Sequence, residues 1–352
     1  MQFIKPGTNF DFIGKWKIAA AFSCALIVIT IISLVYHSGP RYGVDFVGGA
    51  QIELKADKQL HADDLREALK NIGIDDPSLQ NSGKPEENRF ILRTQSQIKG
   101  GQGFTDDMKK KLEETTNAKI EILSVDVVGP QVSGELRKMA LMAIFFALLF
   151  IAIYISGRFE MKWGESIFAS GVLIGIVYLV SLFNVSIPIL IGIALIVSLV
   201  MFWMLGHKFA LGAIASLIHD VIITVGFFSV LKLEFNLPVI AAILTIIGYS
   251  LNDTIIVFDR VRETIKSNKG KLTFGELMNK SINDTLSRTI LTSLLTLISI
   301  TPLYLMGSGS IKDFTFAMII GIFTGTYSSI YVAGAIVYAL ETKRSKKPIA
   351  QT

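Results

Sequence analysis

The chain has 352 residues, 51% of them hydrophobic and only 18% charged, with a formal net charge of +5. Soluble proteins of this length carry about a quarter charged residues, so an ordinary soluble globule is excluded. The single cysteine, Cys24, lies inside an apolar run, which excludes an intrachain disulfide and makes a small buried residue its expected role.

A helix needs about 20 mostly apolar residues to cross the hydrocarbon of a bilayer. In chain order the runs that meet or approach this are Ile18–Tyr36, Met139–Ile155, Ile167–Phe183, Ile187–Leu205, Phe209–Leu231, Leu237–Phe258, Ile290–Met306 and Phe314–Leu340. The first is long, and no small-x-small cleavage site precedes the polar stretch beginning near Ser38, so it reads as a retained anchor rather than a signal peptide.

Lys and Arg in short loops set the orientation. Lys5, Lys15, Lys17, Arg158, Lys162, Lys208, Arg260, Arg262, Lys266, Lys269, Lys271, Lys280, Arg288, Lys343, Arg344, Lys346 and Lys347 fall on one side. Only Lys232 and Lys312 fall in the opposite short loops. Both termini are therefore expected in the cytoplasm, in a multi-pass protein of the inner-membrane type. The basic balance is topological, which disfavours nucleic acid as a partner and makes membrane lipid the surroundings of the spans.

The long polar segment at 38–138 then lies outside. Gln51–Leu54 and Arg89–Thr94 alternate as strands, Leu79–Gln80 is extended, and Lys119–Val128 is a β-branched strand. Ala62–Ile72 reads as a helix with Asp63 and Asp64 in its first turn, and Thr105–Thr116 as a charged helix with Thr105 as N-cap. The order β-α-β-β-α-β predicts a split βαβ, ferredoxin-like sandwich of about 90 residues, a fold that does not by itself decide function. The fold class is thus a polytopic α-helical membrane bundle with an external α+β ferredoxin-like domain. Its divisions are a cytoplasmic segment 1–17, spans 18–36 and 139–155, a hairpin 164–206, a four-span region 209–340 and a basic tail 341–352. Within the four-span region, Thr273 and Glu276 form a capping-box pattern. They head an amphipathic helix at 273–286, expected to lie on the membrane surface and feed the seventh span.

Ionisable residues inside hydrocarbon cost a few kcal/mol and so face a partner or a water path. In the sixth span Thr245, Tyr249, Asn252, Asp253, Asp259 and Arg260 project within an arc of roughly 120°. The fifth span carries Ser216, Asp220 and Thr224 at successive turns, with His219 adjacent. The seventh opens with Arg288 and continues with Thr292, Thr296 and Ser299. Two readings stay open: a static buried pair of Asp253 and Arg288 with the hydroxyls as interhelical glue, or a proton relay whose members change partner. Candidate relay residues are Asp253, Arg288, Asn252 and Asp220, with His219, Tyr249, Asp259, Arg260 and Thr292 as supporting members.

No enzyme signature is present: there is no P-loop, HExxH, paired CxxC or GxSxG. His37, His61, His207 and His219 have no metal spacing, so neither metal nor cofactor is expected. Gly321 and Gly325 form a GxxxG in the last span, read as close helix packing.

Several segments carry a specific resemblance. They are Gly43-Val44-Asp45-Phe46-Val47-Gly48-Gly49, Val128-Gly129-Pro130-Gln131-Val132, Leu217-Ile218-His219-Asp220, Ile247-Gly248-Tyr249-Ser250-Leu251-Asn252-Asp253-Thr254, Val257-Phe258-Asp259-Arg260 and Ser287-Arg288-Thr289. With them the chain resembles the SecF family, one half of the bacterial SecDF pair, over about 10–155 and 209–340. The resemblance implies an RND-like half-transporter that works with SecD beside the SecYEG translocon, where proton flow moves an external domain that draws an unfolded preprotein outward. It implies Asp253 as the proton-handling carboxylate, Arg288 as its switching partner, and Asn252 and Asp220 as supporting members. The pair of spans Ile167–Phe183 and Ile187–Leu205 departs from the family pattern and is expected to be a lateral hairpin outside the conduit. A small-solute exporter and a purely structural scaffold are the alternative functions.

Overall fold

The computed structural model describes residues 8–345, apart from 61, 72–73, 75–76, 83–86, 95–101, 161–162, 183–186 and 269–271. Expectations resting on Lys5, His61, Ile72, Lys162, Phe183, Lys269, Lys271, Lys346 and Lys347 lie outside the described residues.

A backbone in hydrocarbon must satisfy its own hydrogen bonds, so the apolar runs form helices. They are α1 (Trp16–Tyr36), α5 (Pro130–Glu160), α6 (Trp163–Ser181), α7 (Ile187–Met204), α8 (Lys208–Val230), α9 (Leu237–Asn268), α10 (Phe274–Met306) and α11 (Gly309–Ser328). The last span continues through a π-helical turn, Ser329–Ala333, into α12 (Gly334–Ser345). Among the described residues, seven helical spans are long and apolar enough to cross a membrane, and α7 contributes a shorter apolar stretch, Gly192–Met204.

The polar segment folds as β1 (Arg41–Tyr42), α2 (Val44–Val47), β2 (Gly49–Ala56), α3 (Ala62–Asn71), β3 (Ser78–Ser82), β4 (Arg89–Thr94), α4 (Gln102–Thr116) and β5 (Ile120–Val128). The main sheet has the order β3-β4-β2-β5 with every neighbour antiparallel. That is the expected ferredoxin-like arrangement, with each crossover helix skipping over one strand. Period-2 alternation puts Ala50, Ile52, Leu54, Phe90 and Leu92 on the helix-covered face, against Leu65 and Leu69 of α3 and Met108 and Leu112 of α4. A two-stranded parallel ribbon joins β1 to β6 (Glu234–Phe235), in the connection between α8 and α9.

Four expectations need correction. Helix α4 starts at Gln102, so Thr105 sits inside its first turn and is not the cap. Cys24 is exposed, because α1 buries a narrow stripe, Ala19, Ser23, Thr30 and Ser33, and Cys24 lies just off it. The capping box is present in both directions at Thr273 and Glu276. The helix it starts, however, is not a separate surface element. It runs without a break through Met306 and packs antiparallel to α9, with Ser281 donating to Thr264 at 3.0 Å. Its buried Leu277, Met278, Ile282 and Leu286 therefore meet protein. Finally, α5 and α9 extend beyond their predicted spans; α9 continues from Phe258 to Asn268.

The hairpin α6–α7 packs on α5 and α8, with Leu173 and Ala194 meeting Phe145 and Leu149. The chain ends share one side of the bundle, opposite the sheet. The backbone N–H of Phe10 donates to Asn283 Oδ1 at 2.9 Å near the start of α10, and Lys208 at the start of α8 pairs with Glu341 at 2.6 Å.

Candidate functional site

Helix α9 carries the site, and its first turn is fixed from the polar segment. The N–H of Leu237 donates to Asp45 Oδ2 at 2.8 Å, and that of Val239 to Asn236 Oδ1 at 3.0 Å. These bonds answer helix-initial donors that have no partner within the helix. Asp45 belongs to the Gly43–Gly49 motif, whose two final glycines adopt φ +85° and +125°, the left-handed region that glycine enters at little cost. The motif is thus a turn that presents a carboxylate to the head of α9.

Further down, α9 lies close against α11. A Cβ built on Gly321 would come within 2.2 Å of Ile246, and one on Gly325 within 2.9 Å of Ser250, so the GxxxG is a packing seam as expected. That closeness brings two serines onto Asp220 of α8, beside its own chain neighbour His219. Ser250 donates to Asp220 Oδ2 at 2.6 Å and Ser328 to the same oxygen at 2.7 Å, while His219 Nδ1 lies 3.0 Å from Oδ1. Ring atom Nε2 of His219 bonds the hydroxyl of Ser23, which bonds Tyr327, whose hydroxyl donates to the carbonyl of Ala19. Ser329 bonds Thr254 at 2.9 Å, at the π-helical turn. Ser329 opens that turn, and π-helical turns are frequent at functional sites.

Asp253 is different. It is 1% exposed, and its Oδ2 is buried without a hydrogen-bond partner. Arg288, on the facing helix α10, makes no ion pair with it. Arg288 itself is exposed at the α10 surface. The antiparallel ladder of Arg260–Asp284 and Tyr249–Ser293 brackets Asp253 at the level of Thr289 and Thr292. Thr289 Oγ1 is also buried and unpartnered. Two facing helices thus each hold an unanswered polar atom, and leaving such an atom buried costs about 1–3 kcal/mol. Among the described residues, Asp253 is the one buried acid or base with neither a hydrogen bond nor an ion pair.

The other predicted residues divide. Tyr249 joins Ser293 at 3.5 Å and Thr296 at 3.4 Å, in a hydroxyl group that continues from Ser293 to Thr326 at 2.7 Å. Asn252 is exposed on the outer face of α9, in line with exposed Thr245. Asp259 is held by Arg158 at 3.0 Å, and Arg260 by Asp284 and Glu263, both at 2.7 Å, so neither reaches Asp253. Ser216, Thr224, Thr292 and Ser299 turn their hydroxyls back onto carbonyls of their own helices. Residues that the sequence did not single out as site members are Ser250 and Thr254, both inside the sixth-span motif, and Ser328 and Ser329. No group of three or more His, Cys, Asp or Glu able to hold a metal occurs among the described residues.

The chain matches the family described as protein export membrane protein SecD/SecF, C-terminal, over residues 107–201 and 181–343, and the SecD/SecF GG motif over 34–59. It is 39% identical to the protein translocase subunit SecF of Calditerrivibrio nitroreducens, covering 98% of this chain and 99% of that one. It is 36% identical to that of Thermodesulfovibrio yellowstonii, with 95% of each covered. The crystal structure of SecDF, a translocon-associated membrane protein from Thermus thermophilus, superposes with a TM-score of 0.70 at 29% identity over 96% of this chain. SecDF in a super-membrane-facing form gives 0.58 at 28% identity over 98%. The chain spans 39% and 40% of those two SecDF chains. Family match, relatives and architecture concur, and the chain belongs to the SecF family of protein translocase subunits.

Proposed function

We propose that this subunit couples proton flow to preprotein export, with Asp253 as the group that takes and releases the proton. The supporting observation is the contrast within one bundle: Asp220 is answered by three donors, and Asp253 by none. A carboxylate in hydrocarbon stays charged only when a counter-charge or donors answer it. Arg288 is the counter-charge within reach of a modest rearrangement of α10 against α9. In one state Asp253 is ionised and paired with Arg288. In the other, the state described above, the pair is open and a proton neutralises the acid.

One elementary charge crossing about 100 mV yields ~2.3 kcal/mol, which biases two conformations roughly 50-fold. That suffices to tilt the sheet domain between two poses. Asn252 and Tyr249 line the route, Asp220 fixes the frame through His219 and the serines, and Thr292, Asp259 and Arg260 support the α9–α10 contact. The excess of Lys and Arg in one set of loops supports both termini in the cytoplasm and the sheet domain in the periplasm, in a bacterial inner membrane as the family suggests. The exposed stripe Thr245, Gly248 and Asn252 is where a SecD partner completes the conduit, beside SecYEG. The hairpin α6–α7 stays lateral to it.

The test is preprotein translocation into inverted membrane vesicles with and without a proton gradient. Asp253→Asn should lose the gradient-stimulated part while SecD still co-purifies. Stimulation equal to wild type would refute the proton role.

A further inference from the structure

The sheet domain is joined covalently to α1 and α5, not to the helices that carry the site. Beside the β1–β6 ribbon and the Asp45–Leu237 bond, which come from the segment ahead of the main sheet, the main sheet itself meets the heads of α9 and α11 through a buried guanidinium. Arg93 of β4 is 5% exposed. Its Nη1 lies 3.2 Å from Glu234 Oε2 and its Nη2 lies 3.7 Å from Asp313 Oδ2. Within the sheet, Arg93 Nε donates to Gln51 at 2.8 Å and Nη1 to Gln80 at 3.2 Å. Glu234 lies just ahead of α9 and Asp313 in the first turns of α11. Asn236, which caps α9, also donates to Asp313 Oδ2 at 2.9 Å.

One side chain therefore grips three strands of the domain on one side and the heads of two membrane helices on the other. Those two helices are the ones packed together along Gly321 and Gly325, beside Asp253. An arginine is suited to this, because its planar fork reaches several acceptors at once and keeps its charge in any surroundings. Two carboxylates share it, and Asn236 donates to one of them, so a shift of α9 relative to α11 changes its partners without leaving it unanswered.

We propose that Arg93, with Glu234 and Asp313, is the positioning joint that transmits movement of α9 and α11 to the sheet domain. The joint rests on the proton reading above, and the experiment separates the two. Spin labels are placed at Lys110 on α4 and at Met306 at the end of α10, in a Cys24→Ser background, with the full complex in proteoliposomes. The distance between them is measured with and without a proton gradient, and the infrared carboxyl band of Asp253 is recorded in parallel.

Arg93→Met should lose the gradient-dependent distance change and keep the response of the Asp253 band; Arg93→Lys should restore part of the change. The double variant Glu234→Gln, Asp313→Asn cuts the joint from the membrane side and spares the Gln51 and Gln80 bonds, so the sheet keeps its internal ties. It should show the same uncoupling. A full distance change in either uncoupled variant would overturn the joint. So would loss of both signals in assembled protein, since Arg93 would then only support the bundle. Wild-type protein silent in both signals would sink the proton reading, and the joint with it.

Discussion

Ser250 on α9 donates its hydroxyl to Asp220 on α8 at 2.6 Å, whereas Asp253, less than one turn further along α9, has no donor for its buried Oδ2. Two acids at similar burial therefore have opposite roles. One is a structural tie, and the other, on the reading proposed above, is the group that changes state.

This difference is measurable as stability. Asp220→Ala strips the acceptor from Ser250, Ser328 and His219, at about 1–3 kcal/mol for each group left unsatisfied. Thermal unfolding in detergent should show a clearly lower midpoint and reduced association with SecD. Asp253→Asn breaks no bond and should leave the midpoint close to wild type. Equal destabilisation by both would mean that Asp253 is also a structural tie.

Packing along α11 sets a second expectation. Gly321→Val places branched carbon where Ile246 already sits, since even a Cβ would approach to 2.2 Å. Overpacking of this kind costs about 1–3 kcal/mol. It should also separate Ser328 and Ser329 from Asp220 and Thr254. Cysteine cross-linking between α9 and α11 should fall, and Ile246→Ala in the same chain should recover part of it.

The GG turn gives a third. Asp45→Ala removes the acceptor for the N–H of Leu237, a loss comparable to removing a helix cap, about 1 kcal/mol. Hydrogen exchange should quicken at the first turn of α9 and not at its far end. Uniform quickening along α9 would show that Asp45 supports the whole bundle instead.

Much of this was legible in the sequence because hydrocarbon makes composition speak. An acid such as Asp253 inside an apolar run is visible at once, and period-2 alternation in Gln51–Leu54 and Arg89–Thr94 marks the strands. The serines around Asp220 were not legible. Ser250 and Ser328 look like Thr292 or Ser299, whose hydroxyls bond their own helix, and only the closeness of α11 to α9 tells them apart. The π-helical turn leaves no compositional trace. Arg93 lies on the strand face away from the domain core, where a charged residue reads as solvated. Its burial comes from docking against Glu234 and Asp313, which are distant in the chain. The separate surface helix at 273–286 failed for a related reason, because its apolar stripe meets the bundle, α12 included, rather than lipid.

The most direct test of the central claim is infrared difference spectroscopy of the reconstituted complex as a proton gradient is imposed. A carboxylic-acid carbonyl band should rise and fall with the gradient, vanish in Asp253→Asn and shift in Arg288→Met. A gradient response with no component that depends on Asp253 would contradict the claim that this residue carries the proton.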